Sequence, residues 1–103
     1  MDTYLFVKDI FQVLGNPTRL KIFVIILNGA HNNCEIAELS GLAMNLISHH
    51  LKVLQKAGLI QSVRSKKDAR WIYYSVDVEK LRTIQEKMNM FFNQNRTVNG
   101  NLN

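Results

Sequence analysis

The sequence predicts a mainly α-helical fold with a single β-hairpin, in the order helices, hairpin, helix. The first observation behind this prediction is the stretch 34–60, where apolar residues recur at helical spacing on both sides of Gly41. The second is a pair of short runs, residues 60–65 and 70–76, which are rich in β-branched and aromatic side chains. Together they predict two helices joined by a tight turn, followed by two antiparallel strands.

Length and composition indicate one domain, because 103 residues with 47% hydrophobic content can build one modest core. We expect this domain to cover residues 1–94 and an asparagine-rich, disordered tail to cover residues 95–103. The single cysteine excludes an internal disulfide framework. No stretch approaches the ~18 apolar residues of a membrane span, and the N-terminus does not resemble a signal peptide, so we expect a cytoplasmic protein.

The positive charge is concentrated in one part of the chain. The formal net charge is +5, and between residues 40 and 74 the basic residues face a single acid, Asp68. Outside this window acidic and basic residues balance. Such a patch is typical of a polyanion-binding surface, and a solvated face that serves solubility is the alternative interpretation.

Two helices precede the turn motif. The first is expected to end at Gly15. Its apolar surface is wider than the single stripe of a surface helix and comprises Leu5, Phe6, Ile10, Phe11, Val13 and Leu14. These residues are either ordinary core or a contact with another subunit. Asn16 and Pro17 favour the start of a second helix that runs to about Asn28. Because it has few polar positions, we expect this second helix to be buried on most sides and to form the centre of the core.

The helix-turn-helix pattern comes next. Asn32 or Asn33 can cap a third helix, which ends at Gly41, where a sharp turn often needs a positive φ. In the following helix, Ile47, Leu51 and Leu54 recur at helical spacing. The opposite face carries Asn45, Ser48, His49, Lys52 and Lys56. These side chains can bind base edges and phosphates, so the pattern is typical of a recognition helix.

The hairpin has a basic tip, residues 65–69, which suits contact with phosphates or a minor groove. Trp71, Tyr73 and Tyr74 are expected to be packing residues, and stacking of single-stranded bases on these rings is the alternative. Asp77 can cap a final helix. Its apolar positions are Leu81, Ile84, Met88 and Phe91 or Phe92.

The segments VLGNPTRLKIFVIIL, CEIAELSGL, LISHHLKVLQKAGLI and ARWIYYSV, in this order and spacing, resemble the ArsR/SmtB family of winged helix-turn-helix repressors. The resemblance covers roughly residues 5–90. It implies a homodimer, built from the first and last helices, that binds a palindromic operator in double-stranded DNA and releases it when an inducer binds. Paired recognition helices would enter successive major grooves about one turn apart.

The resemblance also implies sites, position by position. Major-groove contacts fall at Asn45, Ser48, His49, His50 and Lys52. The wing contacts fall at Arg64, Lys66, Lys67 and Arg70. The expected dimer interface consists of apolar residues of the first and last helices, namely Leu5, Phe6, Phe11, Leu81, Ile84, Met88, Phe91 and Phe92. Two positions depart from the family: Ala43 replaces a serine-type helix cap, and the wing tip lacks the usual glycine.

The metal sites of the family are not matched. Many members bind thiophilic metals through a Cys-x-Cys pair at the start of the third helix, and here those positions are Asn32 and Cys34. His31 is the one other donor nearby, whereas a soft-metal site needs three or four ligands. The family's second site, on the final helix, uses carboxylate and imidazole ligands, and here those positions are occupied instead by Val78, Lys80, Phe91 and Gln94. We therefore expect no metal and no cofactor. Cys34 is either a small apolar residue or a thiolate that senses oxidants.

The sequence thus predicts a homodimeric, sequence-specific DNA-binding regulator, a repressor, with no membrane partner. The alternative is a winged-helix module that binds protein, or RNA by shape. Protein binding would show weak salt dependence, and neither binding mode would prefer palindromic DNA. An enzyme is not expected, because His31, His49 and His50 form no evident constellation with a nucleophile or a carboxylate, and no Gly-rich phosphate loop is present.

Overall fold

The computed structural model describes residues 2–29 and 31–96. In this part of the chain the helices are α1 (Asp2–Leu14), α2 (Pro17–Leu27), α3 (Asn33–Ser40), α4 (Met44–Lys56) and α5 (Val78–Asn95). The strands are β1 (His31–Asn32), β2 (Gln61–Arg64) and β3 (Ile72–Ser75). This is the mainly α fold with a hairpin wing that the sequence predicted. Asn95, the first residue of the expected tail, is the last residue of α5. Residues 97–103 of the expected tail lie outside the described residues.

Three helices begin at the capping residues that the sequence indicated. The Asn16 side chain accepts a hydrogen bond from the backbone N–H of Arg19 at 3.0 Å, and Pro17 follows at the first helical position. Asn32 and Glu35 form a reciprocal capping box at the start of α3, with bonds of 2.8 and 2.9 Å. The Asp77 carboxylate caps α5. Each side chain satisfies backbone donors that a helix start leaves free.

The turn between α3 and α4 depends on Gly41, which has φ 73°. This left-handed conformation costs a residue with a Cβ more than it costs glycine. Gly58, with φ 79°, reverses the chain after α4 in the same way. Gly41 therefore lies where the sequence predicted a turn.

The three strands form an antiparallel sheet with β3 in the centre. In the hairpin, Arg64 pairs with Ile72. The sequence did not predict strand β1, because Asn32 was expected only as a possible helix cap. Its two residues have no local strand pattern, and pairing of His31 with Tyr74 and of Asn32 with Tyr73 creates the strand.

The core lies where α2, α3 and α4 meet, with contributions from α1, α5 and the segment after α4. Its buried members are Ile10, Ile22, Phe23, Ile26, Ile36, Ile47, Leu51, Leu54, Leu59, Ile60 and Ile84. The expectation that α2 is buried on most sides was wrong. Leu20, Val24 and Leu27 are 42%, 45% and 44% exposed, because α3 and α4 cover only the face that carries Ile22 and Ile26.

Helices α1 and α5 pack against each other in opposite directions. The buried Thr3 hydroxyl donates to Gln94 Oε1 at 2.8 Å, and the Lys87 ammonium lies 5.3 Å from the centre of the Phe6 ring. A groove of about 340 Å³ lies along this pair. Its lining is Tyr4, Val7, Lys8, Phe11, Gln12 and Phe91.

The residues expected at a dimer interface divide into three groups by exposure. Leu5, Phe11 and Phe92 are at least half exposed, at 52%, 52% and 56%. The second group is partly buried within the single chain and comprises Phe6, Leu81, Met88 and Phe91. Ile84 is a correction, because it is 7% exposed and belongs to the core of the single chain.

Among the described residues, no single helix is long and apolar enough to cross a membrane. Helices α1 and α2 would reach that length only as a pair, and they meet at an angle of 96°.

Candidate nucleic-acid interface

Helix α4 presents a polar face to solvent and an apolar face to the core. Ile47, Leu51 and Leu54 are at most 3% exposed. On the other side, Asn45, Ser48, His49, Lys52 and Lys56 are all exposed. The 3.6-residue period therefore separates them as the sequence predicted. The exposed set carries no carboxylate, so it can donate and accept hydrogen bonds without repelling phosphate.

His50 does not belong to this exposed set, although the family resemblance placed it there. It is 5% exposed, since position 50 follows Ile47 by three residues and so lies on the buried face of α4. Its Nδ1 lies 3.4 Å from Nη1 of Arg19. Burial, then the charge of Arg19, then that of His49 lower the pKa of His50 from its ordinary value. These effects favour the neutral ring, and its burial keeps it from direct contact with DNA.

Sequence reasoning missed two apolar side chains at the N-terminal end of α4. Met44 and Leu46 are 38% and 40% exposed. Leu46 lies off the spacing of Ile47 and Leu51, and that signal could have identified it, whereas Met44 shares their spacing and its exposure had no signal in the sequence. Apolar groups at the start of a recognition helix can contact thymine methyls. Ala43, which precedes them, gives no side-chain cap, as its residue type implied.

The wing turn forms without glycine. The Ser65 hydroxyl accepts hydrogen bonds from the backbone N–H groups of Lys67 and Asp68 at 3.2 and 3.3 Å. The Ser65 N–H donates to the carbonyl of Trp71 at 2.8 Å, which closes the loop. Side-chain acceptance by a serine is a common substitute for the special dihedral angles of glycine. The wing turn therefore closes through hydrogen bonds of Ser65, although the glycine usual in the family is absent.

The four basic residues of the wing are not equivalent. Lys66 and Lys67 are exposed, and within the described residues neither ammonium makes an ion pair. The guanidinium of Arg70 binds the Asp68 carboxylate, with Nη2 to Oδ2 at 2.7 Å and Nε to Oδ1 at 3.0 Å. Arg64 donates through Nη1 to the carbonyl of Ala69. The two lysines are therefore the cations most available to phosphate.

The contacts of the Asp68 carboxylate with Arg70 favour its ionised form. The hydrogen bonds from the side chain and the backbone of Arg70 lower the pKa of Asp68 below its ordinary value. Because the ionised form is favoured, the pair partly cancels the positive charge at the tip.

A side-chain hydrogen bond joins the wing to α4. Gln55 Nε2 donates to the Ser62 hydroxyl at 2.9 Å, between the last turn of α4 and strand β2. Sequence reasoning missed this pair, because neither residue is part of an apolar pattern. The bond helps to hold the wing at a fixed position beside the exposed face of α4.

The aromatic residues of the hairpin are divided. Trp71 and Tyr74 are partly buried, and Tyr74 packs against the core, as expected of packing residues. Tyr73 is a correction, since it is 42% exposed and pairs across the hairpin with Val63, which is 64% exposed. One exposed ring does not form the row of platforms on which successive single-stranded bases stack.

The two donors considered for a metal site, His31 and Cys34, lie near the start of α3. Cys34 is exposed, and His31 Nδ1 lies 3.6 Å from Glu35 Oε1. Within residues 2–29 and 31–96, no group of three or more His, Cys, Asp or Glu side chains could hold a metal ion.

A helix-turn-helix with an adjoining basic wing defines the class of winged helix-turn-helix DNA-binding proteins. Comparison with known proteins identifies the family. The model of the family described as "Bacterial regulatory protein, arsR family" matches residues 16–62. The chain belongs to the ArsR family, and it is a transcriptional regulator and not an enzyme.

Two relatives and one solved structure illustrate the similarity. An uncharacterized HTH-type transcriptional regulator of Methanocaldococcus jannaschii is 33% identical over 85 residues, which cover 82% of this chain and 92% of that protein. The transcriptional repressor SdpR of Bacillus subtilis is 31% identical over 86 residues, covering 84% and 89%. An ArsR-like transcriptional regulator from Rhodococcus sp. RHA1 has a TM-score of 0.77 at 22% identity, covering 91% and 86%, and it supports the fold.

Proposed function

We propose that this protein is a homodimeric repressor that binds a palindromic operator through α4 and the wing of each subunit. The observation that carries the proposal is the carboxylate-free exposed face of α4, joined to a wing whose two lysines are unpaired among the described residues. In this proposal, Asn45, Ser48, His49 and Lys52 contact base edges in the major groove. Contacts to phosphates come from Arg64, Lys66, Lys67 and, in competition with Asp68, Arg70.

The proposed dimer forms through α1 and α5. The exposed side chains of Leu5, Phe11 and Phe92 are apolar, and a groove lies between the two helices. The radius of gyration is 16.5 Å, whereas a compact chain of this size has about 13 Å. This larger radius of gyration supports the proposal that α1 and α5 are not fully covered within one chain. A two-fold dimer would cover the same surface on both copies.

The proposed regulator does not use a metal as its inducer. Cys34 and His31 of one chain are fewer donors than a tetrahedral soft-metal site needs. The exposure of Cys34 leaves its thiol open to oxidants, which is the alternative signal that the sequence suggested. A cytoplasmic location follows from the proposed contact with DNA.

Selection of DNA from a random pool by the purified protein tests this function. We expect the selected duplexes to share an inverted repeat whose half-sites are about 10 base pairs apart from centre to centre. Enrichment of no sequence would contradict the proposal, and so would a consensus without two-fold symmetry. The alternative protein-binding module predicts weak binding to DNA with little dependence on salt.

The exposed residues of α4 and those of the wing should do separable work. Replacing Lys66 and Lys67 by Ala should weaken binding to every duplex and lower the salt slope by about one for each lost phosphate contact. Ser48→Ala or His49→Ala should instead reduce discrimination between sequences by about 1–3 kcal/mol per lost base contact. Titrations of selected and scrambled duplexes at several salt concentrations measure both effects.

Arg82→Gln provides the control for loss of a cation, because Arg82 is exposed, forms an ion pair with Glu79 on α5 and is not one of the residues proposed to contact DNA or the second subunit. It should change neither the salt slope nor the preferred sequence. If the wing variants altered the preferred sequence and the α4 variants did not, the assignment of roles would be reversed.

A further inference from the structure

Arg19 lies where α2 meets both the end of α1 and the middle of α4. Its Nε donates to the carbonyl of Val13 at 2.6 Å, and its Nη2 donates to the carbonyl of Gln12 at 3.5 Å. Its Nη1 lies 3.4 Å from Nδ1 of His50. One guanidinium on α2 thus contacts two other helices, and its planar fork holds its donors in fixed directions.

The contacts with α1 satisfy groups that the helix itself leaves free. Gln12 and Val13 belong to the last turn of α1, where carbonyls lack intrahelical donors. A cation near these carbonyls is also favoured by the helix dipole. The end of α1 is therefore tied to Arg19 rather than to solvent.

The contact with α4 fixes the state of His50. An arginine can only donate, so a hydrogen bond from Nη1 of Arg19 to Nδ1 of His50 requires a neutral ring with its proton on Nε2. Burial, then Arg19, then His49 lower the pKa of His50, which agrees with a neutral ring. The charged or titratable groups that act on it are Arg19 on α2 and His49 on its own helix, whose ring centre is 5.2 Å away.

We propose that Arg19 is a positioning residue for DNA binding, which acts through His50 to set the angle between α4 and α1. This inference rests on the proposed function. Because α1 forms part of the proposed dimer interface, that angle determines how far apart the two copies of α4 lie. The separation must match successive major grooves, about 34 Å, so a small rotation would reduce specific binding. Contacts between exposed lysines and phosphates would tolerate the same rotation.

Two substitutions remove the contact in different ways. Arg19→Lys keeps the positive charge but cannot span the carbonyls of α1 and His50 together. His50→Leu removes the acceptor, while His50→Asn, nearly equal to leucine in shape, can place an oxygen close to the position of Nδ1. The probes are the duplex that the unmodified protein selects from a random pool and a scrambled duplex of equal length.

We expect Arg19→Lys and His50→Leu to bind the selected duplex at least about tenfold more weakly and the scrambled duplex within about threefold of the unmodified protein. His50→Asn should retain affinity for the selected duplex within about threefold. Arg82→Gln, which removes a guanidinium from the exposed ion pair with Glu79 on α5, controls for charge and should leave the ratio of the two affinities unchanged. All binding is measured well below the thermal midpoint of each variant, so that only folded protein is compared.

A measurement without DNA separates this inference from the proposed function. In Arg19→Lys, backbone amide resonances should shift along the exposed face of α4, including Asn45, Ser48 and Lys52. Shifts confined to residues that touch Arg19 would overturn the positioning role. Equal losses on both duplexes would overturn it too, since they would indicate a general loss of DNA affinity and not a change in the separation of the two copies of α4. Unchanged specific binding by Arg19→Lys would also overturn it. If the unmodified protein selects no duplex, the proposed function fails, and the amide shifts alone decide whether Arg19 positions α4.

Discussion

At the scale of single residues, Asp68 both shapes the wing and reduces its charge. Its Oδ1 accepts a hydrogen bond from the backbone N–H of Arg70 at 3.0 Å, and its backbone carbonyl accepts from the N–H of Trp71 at 3.0 Å. The same carboxylate holds the Arg70 guanidinium. A negative group therefore lies beside the lysines proposed to meet phosphate.

Asp68→Asn should strengthen binding to DNA of any sequence. Asparagine keeps an oxygen for the Arg70 N–H, so the turn should persist, while the loss of the negative charge frees the Arg70 guanidinium for phosphate. We expect affinity to rise about two- to fivefold at roughly 0.15 M salt, and the salt slope to steepen by up to about one. Fluorescence anisotropy titrations at four salt concentrations measure this. Glu79→Gln on α5 is the matched control, and a weaker Asp68→Asn complex would contradict the expectation.

His50 predicts how stability depends on pH. Its pKa in the folded protein is lowered below the ordinary value of 6.5, so the unfolded chain binds more protons between those two values. The contribution of the neutral ring is therefore complete above about pH 6.5 and is lost as pH falls toward the folded pKa. We expect the thermal midpoint to fall between about pH 7 and pH 5, and to fall less in His50→Asn. His49→Asn removes only the smallest of the three causes of the lowered pKa of His50, so it should keep most of the decrease. Equal pH profiles for His50→Asn and the unmodified protein would refute this role.

At the scale of elements, periodicity and capping residues predicted the five helices and the hairpin, because those signals are local. The strand β1 could not be predicted, since its two residues become a strand only by pairing with Tyr73 and Tyr74. The same limit applies to α2, whose apolar residues on all sides gave no sign that Leu20 and Val24 are exposed. Neighbouring elements decide which face is covered.

The candidate site was predicted in the same uneven way. The spacing of Ile47 and Leu51 separated the exposed face of α4 correctly, but the family resemblance misplaced His50. A polar side chain on a buried face needs a partner, and that partner, Arg19, lies on a different helix. No local pattern could have shown that contact.

The capping box of α3 gives a prediction at the level of the element. Asn32→Ala removes the side-chain acceptor for Glu35 N–H but leaves the backbone pairing with Tyr73 intact. We expect the free energy of unfolding to fall by about 1 kcal/mol, as measured by urea denaturation. Asn93→Ala, at an exposed position within α5, should cost nothing, because alanine favours helix. Equal stability of Asn32→Ala and the unmodified protein would show that solvent replaces the cap.

At the scale of the whole molecule, the chain measures 58 × 25 × 20 Å and leaves apolar side chains uncovered on α1 and α5. Phe11 is 52% exposed in the single chain, so Phe11→Asp should fold normally. In the proposed dimer it would bury an unpaired charge, which we expect to weaken association by on the order of 3 kcal/mol. Sedimentation velocity measures the shift from dimer to monomer.

The control for this experiment is Leu39→Asp on α3, where the side chain is 58% exposed and lies outside the proposed interface. It should leave the dimer intact. Ile84→Asp should instead lose helical circular dichroism, because Ile84 is part of the core. A Phe11→Asp protein that sediments as the unmodified protein does would place the interface elsewhere.

The order of strands in the sheet has a consequence for aggregation. With β3 in the centre, the two open edges belong to β1, which has only two residues, and to β2, which ends at Arg64 and leads directly to Lys66 and Lys67. Unpaired strand edges invite pairing with strands of other molecules, and short length and lysine side chains are common protections. The cations proposed to meet phosphate thus also keep a second copy of the hairpin from extending the sheet.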